Sequence, residues 1–106
     1  MKRSVRNTVK RLRQVCPLNT PVRVVSQSLE DTPACGFCTA YYNAEGELNR
    51  FIIVINTDLC EQAELDTVLH EWAHALDIER NGVGRNPHRR SWGVAFAQVW
   101  NCFFAT

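Results

Sequence analysis

Apolar residues recur along this chain at two spacings, and the switch between them marks its elements. Val5, Val9, Leu12 and then Val15 or Cys16 follow a helical interval, with Arg and Lys between them. One apolar and one basic face predict an amphipathic helix over about 3–16, stopped by Pro17. Pro21 ends the connection, and 22–25 is a short strand candidate before the polar, turn-rich stretch 26–33. Residues 35–42 favour a strand. Positions 43–47 then read as a turn in which Gly46 is free to take positive φ. Phe51-Ile52-Ile53-Val54-Ile55 is an apolar, β-branched run of the kind buried on both faces of a sheet. Together these predict a hairpin over about 35–55, after which Asn56, Thr57 or Asp58 is placed to cap a helix.

Leu65, Leu69, Trp72 and Leu76 form one apolar stripe, predicting a second helix over about 62–79. Asn81-Gly82-Val83-Gly84 stops it. Trp92, Phe96, Val99 and Phe103 repeat the spacing and predict a last helix over about 88–103 that packs on the other two. There is no internal repeat and no low-complexity segment. The expected fold is a single α+β domain over 1–106, with a small, mainly antiparallel sheet packed on the second helix. With 106 residues, 45% of them hydrophobic, one core can close.

Charge adds a distribution rather than a total. The formal net charge is +1, yet Lys2, Arg3, Arg6, Lys10, Arg11 and Arg13 crowd the start without an acid. Every Asp and Glu lies between Glu30 and Glu79, and Arg80, Arg85, Arg89 and Arg90 follow unopposed. Such segregation can attract phosphate, although a solvated basic face is the simpler expectation. No apolar run approaches the roughly 18 residues that span a bilayer, and the basic start lacks the apolar core of a secretory signal. Five cysteines, an odd number, argue against a fully paired disulfide framework. The cytoplasm is the expected compartment.

The chemistry concentrates in His70-Glu71-Trp72-Ala73-His74, which spells H-E-x-x-H. On a helix, residues four apart share a face, so His70 and His74 can offer two imidazoles to one ion. Zinc suits such a pair, because it takes neutral imidazole without redox chemistry and keeps one position open for water when three protein ligands bind it. Glu71 would accept the proton of that water and pass it to a leaving amine. The third ligand follows by elimination. Position 80 is Arg, no acid follows Glu79, and Glu79 lies poorly placed on the same helix. His88, fourteen residues past His74 and beyond a glycine-containing connection, remains. Asp66 or Asp77 could orient a ligand imidazole, and Tyr41, Tyr42 or Arg85 could stabilise an oxyanion. The plain alternative is a surface helix that happens to carry two histidines. Cys35 and Cys38 form a C-x-x-C pair, but strand positions three apart face opposite sides. Two small strand residues are expected there rather than a second metal or redox site.

Beyond the motif, several pieces resemble the SprT-like zinc metallopeptidase domain shared with the Spartan proteases. Ala34-Cys35-Gly36-Phe37-Cys38 is similar to the entry of that family's hairpin, and 51–56 with Leu59 to its second strand and helix lead-in. The stretch 69–76 resembles its active helix, and His88-Arg89-Arg90-Ser91-Trp92 keeps its spacing from third histidine to aromatic residue. The resemblance covers about 34–96. It implies a zincin-like fold, one catalytic Zn2+ held by His70, His74 and His88, Glu71 as general base, and a protein or peptide substrate. Proteins associated with DNA are among the substrates it suggests, with the basic first helix and the 85–90 cluster as sources of phosphate contacts. Arg89 stands where the family usually has glycine, and the sequence carries no C-terminal zinc ribbon. Two other expectations compete. One is a catalytically idle zinc-binding module that docks on protein or nucleic acid through its basic helix. The other is a zinc hydrolase acting on bonds other than peptides.

Overall fold

A computed structural model describes residues 1–105. The chain forms α1 (Arg3–Val15), β1 (Val22–Gln27), β2 (Gly36–Tyr42), β3 (Leu48–Asn56), α2 (Glu61–Asn81) and α3 (Arg90–Phe104). The strands make one sheet in the order β1-β3-β2. β2 pairs antiparallel with β3 as the hairpin predicts, while β1 pairs parallel with β3, Val24 opposite Ile53. The sheet is therefore mixed, which corrects the mainly antiparallel expectation. Topology gives the reason. The link 28–35 is too short to return to the far end of the sheet, so β1 and β2 run oppositely. With β3 between them and antiparallel to β2, β1 has to run parallel to β3.

β3 takes the centre because it is the most apolar strand. Phe51, Ile53 and Ile55 are fully buried, and Ile53 and Ile55 face the helices. On the face turned away, Val54 is buried and Ile52 half-buried. Burial on both faces thus holds at Val54 and is incomplete at Ile52. Ile53, Ile55 and Val24 pack with Val68, Leu69, Trp72 and Leu76 of α2, Val5, Val9 and Leu12 of α1, and Ala95 and Val99 of α3. Trp72 is the largest fully buried side chain, and its indole Nε1 donates to the Cys16 carbonyl at 2.9 Å. That bond ties the end of α1 to the middle of α2 and satisfies the indole's one donor.

The helix ends differ from expectation in three places, the first being that α2 runs on to Asn81, two residues past its expected end at 79. Cys60, not Asn56, Thr57 or Asp58, precedes α2, and it makes no side-chain cap. Asn56 is otherwise engaged, its Oδ1 accepting from the Asp58 N–H at 3.1 Å in a local turn. Glu61 and Glu64 favour the helix start electrostatically instead. α3 begins at Arg90, two residues later than expected, which leaves His88 in the connector.

Several cations of the basic helix are spent inside the molecule. Arg11 donates to the Phe103 and Ala105 carbonyls, each at 2.7 Å, where the end of α3 leaves acceptors free. Arg13 donates to the Val22 carbonyl at 2.8 Å, and Lys2 pairs with the buried Glu64 at 3.1 Å. Among the described residues, no helix is long and apolar enough to cross a membrane.

Candidate metal centre

The inner side of α2 is apolar, and the motif's two middle residues, Trp72 and Ala73, are both fully buried. Their burial fixes the rotation of the helix, so His70 and His74 emerge half-buried at its edge. Gly82, with φ of 75°, ends α2, and its N–H bonds the Ile78 carbonyl at 2.8 Å. Past that turn the chain doubles back and returns His88 to the same point. Nε2 of His70 lies 3.1 Å from Nε2 of His74 and 3.0 Å from Nε2 of His88. Ring centroids stand 4.8, 5.0 and 4.9 Å apart around the triangle.

A neutral imidazole nitrogen carries either one proton or one lone pair, so His70 Nε2 cannot satisfy both neighbours equally by hydrogen bonding. One cation shared by the three lone pairs can. Ligand nitrogens about 2.0–2.1 Å from a tetrahedral ion lie about 3.3 Å from each other, close to the spacing found here. The three histidines can hold a metal ion. Their protonation points the same way. Burial, with the nearby imidazoles adding to it, pulls His74 down to about 4. Burial and His88 lower His70 as well. Both rings are thus neutral at physiological pH, as coordination requires.

Beside the histidines runs a cleft of about 310 Å³ lined by Cys35, Gly36, Asp66, Thr67, His70 and Glu71. Gly36 keeps β2 close to α2, since a Cβ there would come within 2.5 Å of the Val54 carbonyl oxygen and 2.9 Å of Thr67 Cγ2. Glu71 is only 6% exposed, and burial pushes its carboxyl up to about 7. Cys38, half-buried on the helix-facing side of β2, is pushed up to about 12 by burial and then by the Glu71 charge. Its thiol stays protonated. Cys35 lies exposed just before the strand, all five thiols are free, and no cysteine joins a three-ligand cluster among the described residues.

The supporting candidates sort less evenly. Asp66 is exposed and accepts from Gln62 Nε2 at 3.0 Å rather than from a ligand ring. Asp77 is buried and bonds Arg89 Nε and Asn81 Nδ2, each at 3.0 Å, so it does not hold an imidazole either. Its burial alone would raise its pKa, but hydrogen bonds from Ser91, Arg89 and Asn81, with the Arg89 charge, hold it below the ordinary carboxylate value. Tyr41 alternates with Ala40 onto the face away from the helices, where its ring lies 4.9 Å from the Arg50 guanidinium. That removes it as an oxyanion donor. Tyr42 and Arg85 are exposed, and among the described residues neither bonds Glu71 or a histidine.

Two residues that the sequence reading named without giving them a role stand at the site. Trp92 walls the cluster, its ring 4.8 Å from His70, 5.2 Å and nearly parallel to His74, and 4.7 Å and edge-on to His88. Its spacing of four from His88 was the available signal. Arg89 grips Asp77 across twelve positions, a contact that only the fold creates. Comparison with known proteins returns no neighbour: no family model matches the chain, and no curated protein or solved structure does.

Proposed function

We propose that this protein is a zinc-dependent peptidase in which His70, His74 and His88 hold the ion and Glu71 moves the proton. The observation that carries this reading is the convergence of three Nε2 atoms at 3.0 and 3.1 Å beside a cleft that the buried Glu71 also lines. Zinc fits the donors, three imidazole nitrogens with no thiolate or carboxylate among them. When bound, such an ion supplies Lewis acidity, which acidifies water and polarises a carbonyl. Glu71, raised to about 7, is poised to take a proton from water at neutral pH and return it to a leaving amine. Trp92 and the partial burial of the rings keep bulk water from the ligands' inner side.

The sheet supplies a means of holding a substrate. β2 is an edge strand, paired with β3 on one side only, and its start at Gly36 lines the cleft. A peptide laid along that edge in extended form would gain main-chain hydrogen bonds by strand addition. The resemblance of 34–96 to SprT-like domains supports the same reading.

The test is zinc stoichiometry measured alongside cleavage of an unfolded protein such as casein. One zinc per chain and zinc-dependent cleavage that disappears in Glu71→Gln, with the metal retained, are expected. Zinc bound without cleavage would make the protein an idle metal-binding module instead.

A further inference from the structure

His88 reaches the cluster from a segment with little of its own to hold it. The connector between α2 and α3 is exposed throughout 82–88, and Val83, its one aliphatic side chain, is 65% exposed. His88 itself is exposed, its backbone N–H bonded to Asn86 Oδ1 at 3.0 Å within the same loop. The connector's anchor to the folded body is the next residue. Arg89 Nε meets Asp77 Oδ2 at 3.0 Å, and its terminal nitrogen also donates to the Gly82 carbonyl. Asp77 has a side chain only 4% exposed and sits one turn past His74 on the same helix. One guanidinium thus joins the loop's start, the loop's end and the metal-bearing helix.

We propose that the Asp77–Arg89 ion pair is a positioning device for the metal centre, holding His88 over His70 and His74 before any ion arrives. Arg89 touches neither metal nor substrate. It acts by removing conformations of the connector in which the third imidazole is absent, so that binding need not supply that ordering. A planar fork is required, because the same side chain spans a carboxylate and a carbonyl; an ammonium is a single point charge. The inference rests on the metal site of the proposed function but not on peptide hydrolysis.

Zinc affinity, measured by competition with a colorimetric chelator, tests it. Arg89→Ala and Asp77→Asn should each weaken zinc binding by about 10–100-fold, the usual effect of losing a group that orients a ligand. Arg89→Lys should fall between these and the unaltered protein. The discriminating measurement repeats Arg89→Ala in a His88→Ala background, at correspondingly higher zinc, where it should cause no further loss. Unchanged affinity in a folded Arg89→Ala protein would overturn the proposal. So would an equal loss in both backgrounds, which would make the pair general support for the fold. If Arg89→Ala does not fold, Arg89→Lys carries the same two-background comparison. Zinc binding without proteolysis would count against the proposed activity alone, whereas normal zinc affinity and proteolysis in Arg89→Ala would count against the positioning role alone.

Discussion

His70 and His74 ride on a helix whose intervening residues, Trp72 and Ala73, are fully buried, whereas His88 stands in an exposed connector that adds nothing to the core. The first pair takes its geometry from packing. Displacing either ring means rotating α2 against β3, α1 and α3 together. The third takes its geometry from an ion pair, a few loop hydrogen bonds and the edge-on ring of Trp92, and the polar contacts among these can be lost without exposing apolar surface. The contrast teaches that a three-ligand site need not be uniformly rigid. Two ligands can be fixed by the fold while the last is set by local chemistry.

The sharpest way to test that division is to remove chemistry from the packed half without disturbing its shape. Glu71→Gln should lower turnover by about 10²–10⁴-fold, the usual contribution of a positioned acid–base group, while zinc affinity stays within error. Attacking the packing itself should unfold rather than merely inactivate. Trp72→Ala should cost about 3–5 kcal/mol and lower Tm by roughly 4–8 °C per kcal/mol. His88→Ala should do the reverse, weakening zinc beyond the roughly 100-fold upper range of supporting residues while leaving the metal-free Tm nearly unchanged.

A pH-dependent effect should be smaller. In metal-free protein the Glu71 carboxyl, raised to about 7 by burial, favours folding while it stays protonated. That contribution is present below the ordinary carboxylate pKa and is lost as pH rises through about 7. His74, lowered to about 4, acts oppositely, adding stability as pH rises from about 4 toward the ordinary imidazole value. The two offset each other in between. Above pH 7 only the Glu71 penalty remains, so metal-free Glu71→Gln should be more stable than the parent at pH 8 by on the order of 1–3 kcal/mol, and equal to it at pH 4. Thermal melts of stripped protein at both pH values would show it. The smallest effect belongs to the connector: Val83→Ser should change stability by no more than about 0.5 kcal/mol.

Much of this was legible from residue order, and the reason is local. All three helices and the hairpin follow from apolar spacing, because each buries one continuous stripe against a single core. The three histidines were legible too, two from a helical interval and one because no other donor remained. What escaped depends on contacts between distant residues. β1 pairs in parallel with β3 only because β3 lies between β1 and β2, and pairing order is not written in any one strand. The cap of α2 was misplaced because Asn56 spends its side chain on a turn. Asp77 was a candidate to orient an imidazole, with a solvated helix residue the simpler expectation, and instead it is buried against Arg89, twelve positions on. Most of the basic first helix read as a free cationic surface, yet Lys2, Arg11 and Arg13 are engaged by groups on other elements.

The indole of Trp92 has a practical consequence. It lies within 5.2 Å of all three imidazole rings and nearly parallel to one of them. A tryptophan so placed is a built-in chromophore whose emission responds to charge on its neighbours. Occupancy of the centre can therefore be followed optically in the unlabelled chain, with Trp92→Phe as the blank that subtracts the signal of Trp72 and Trp100.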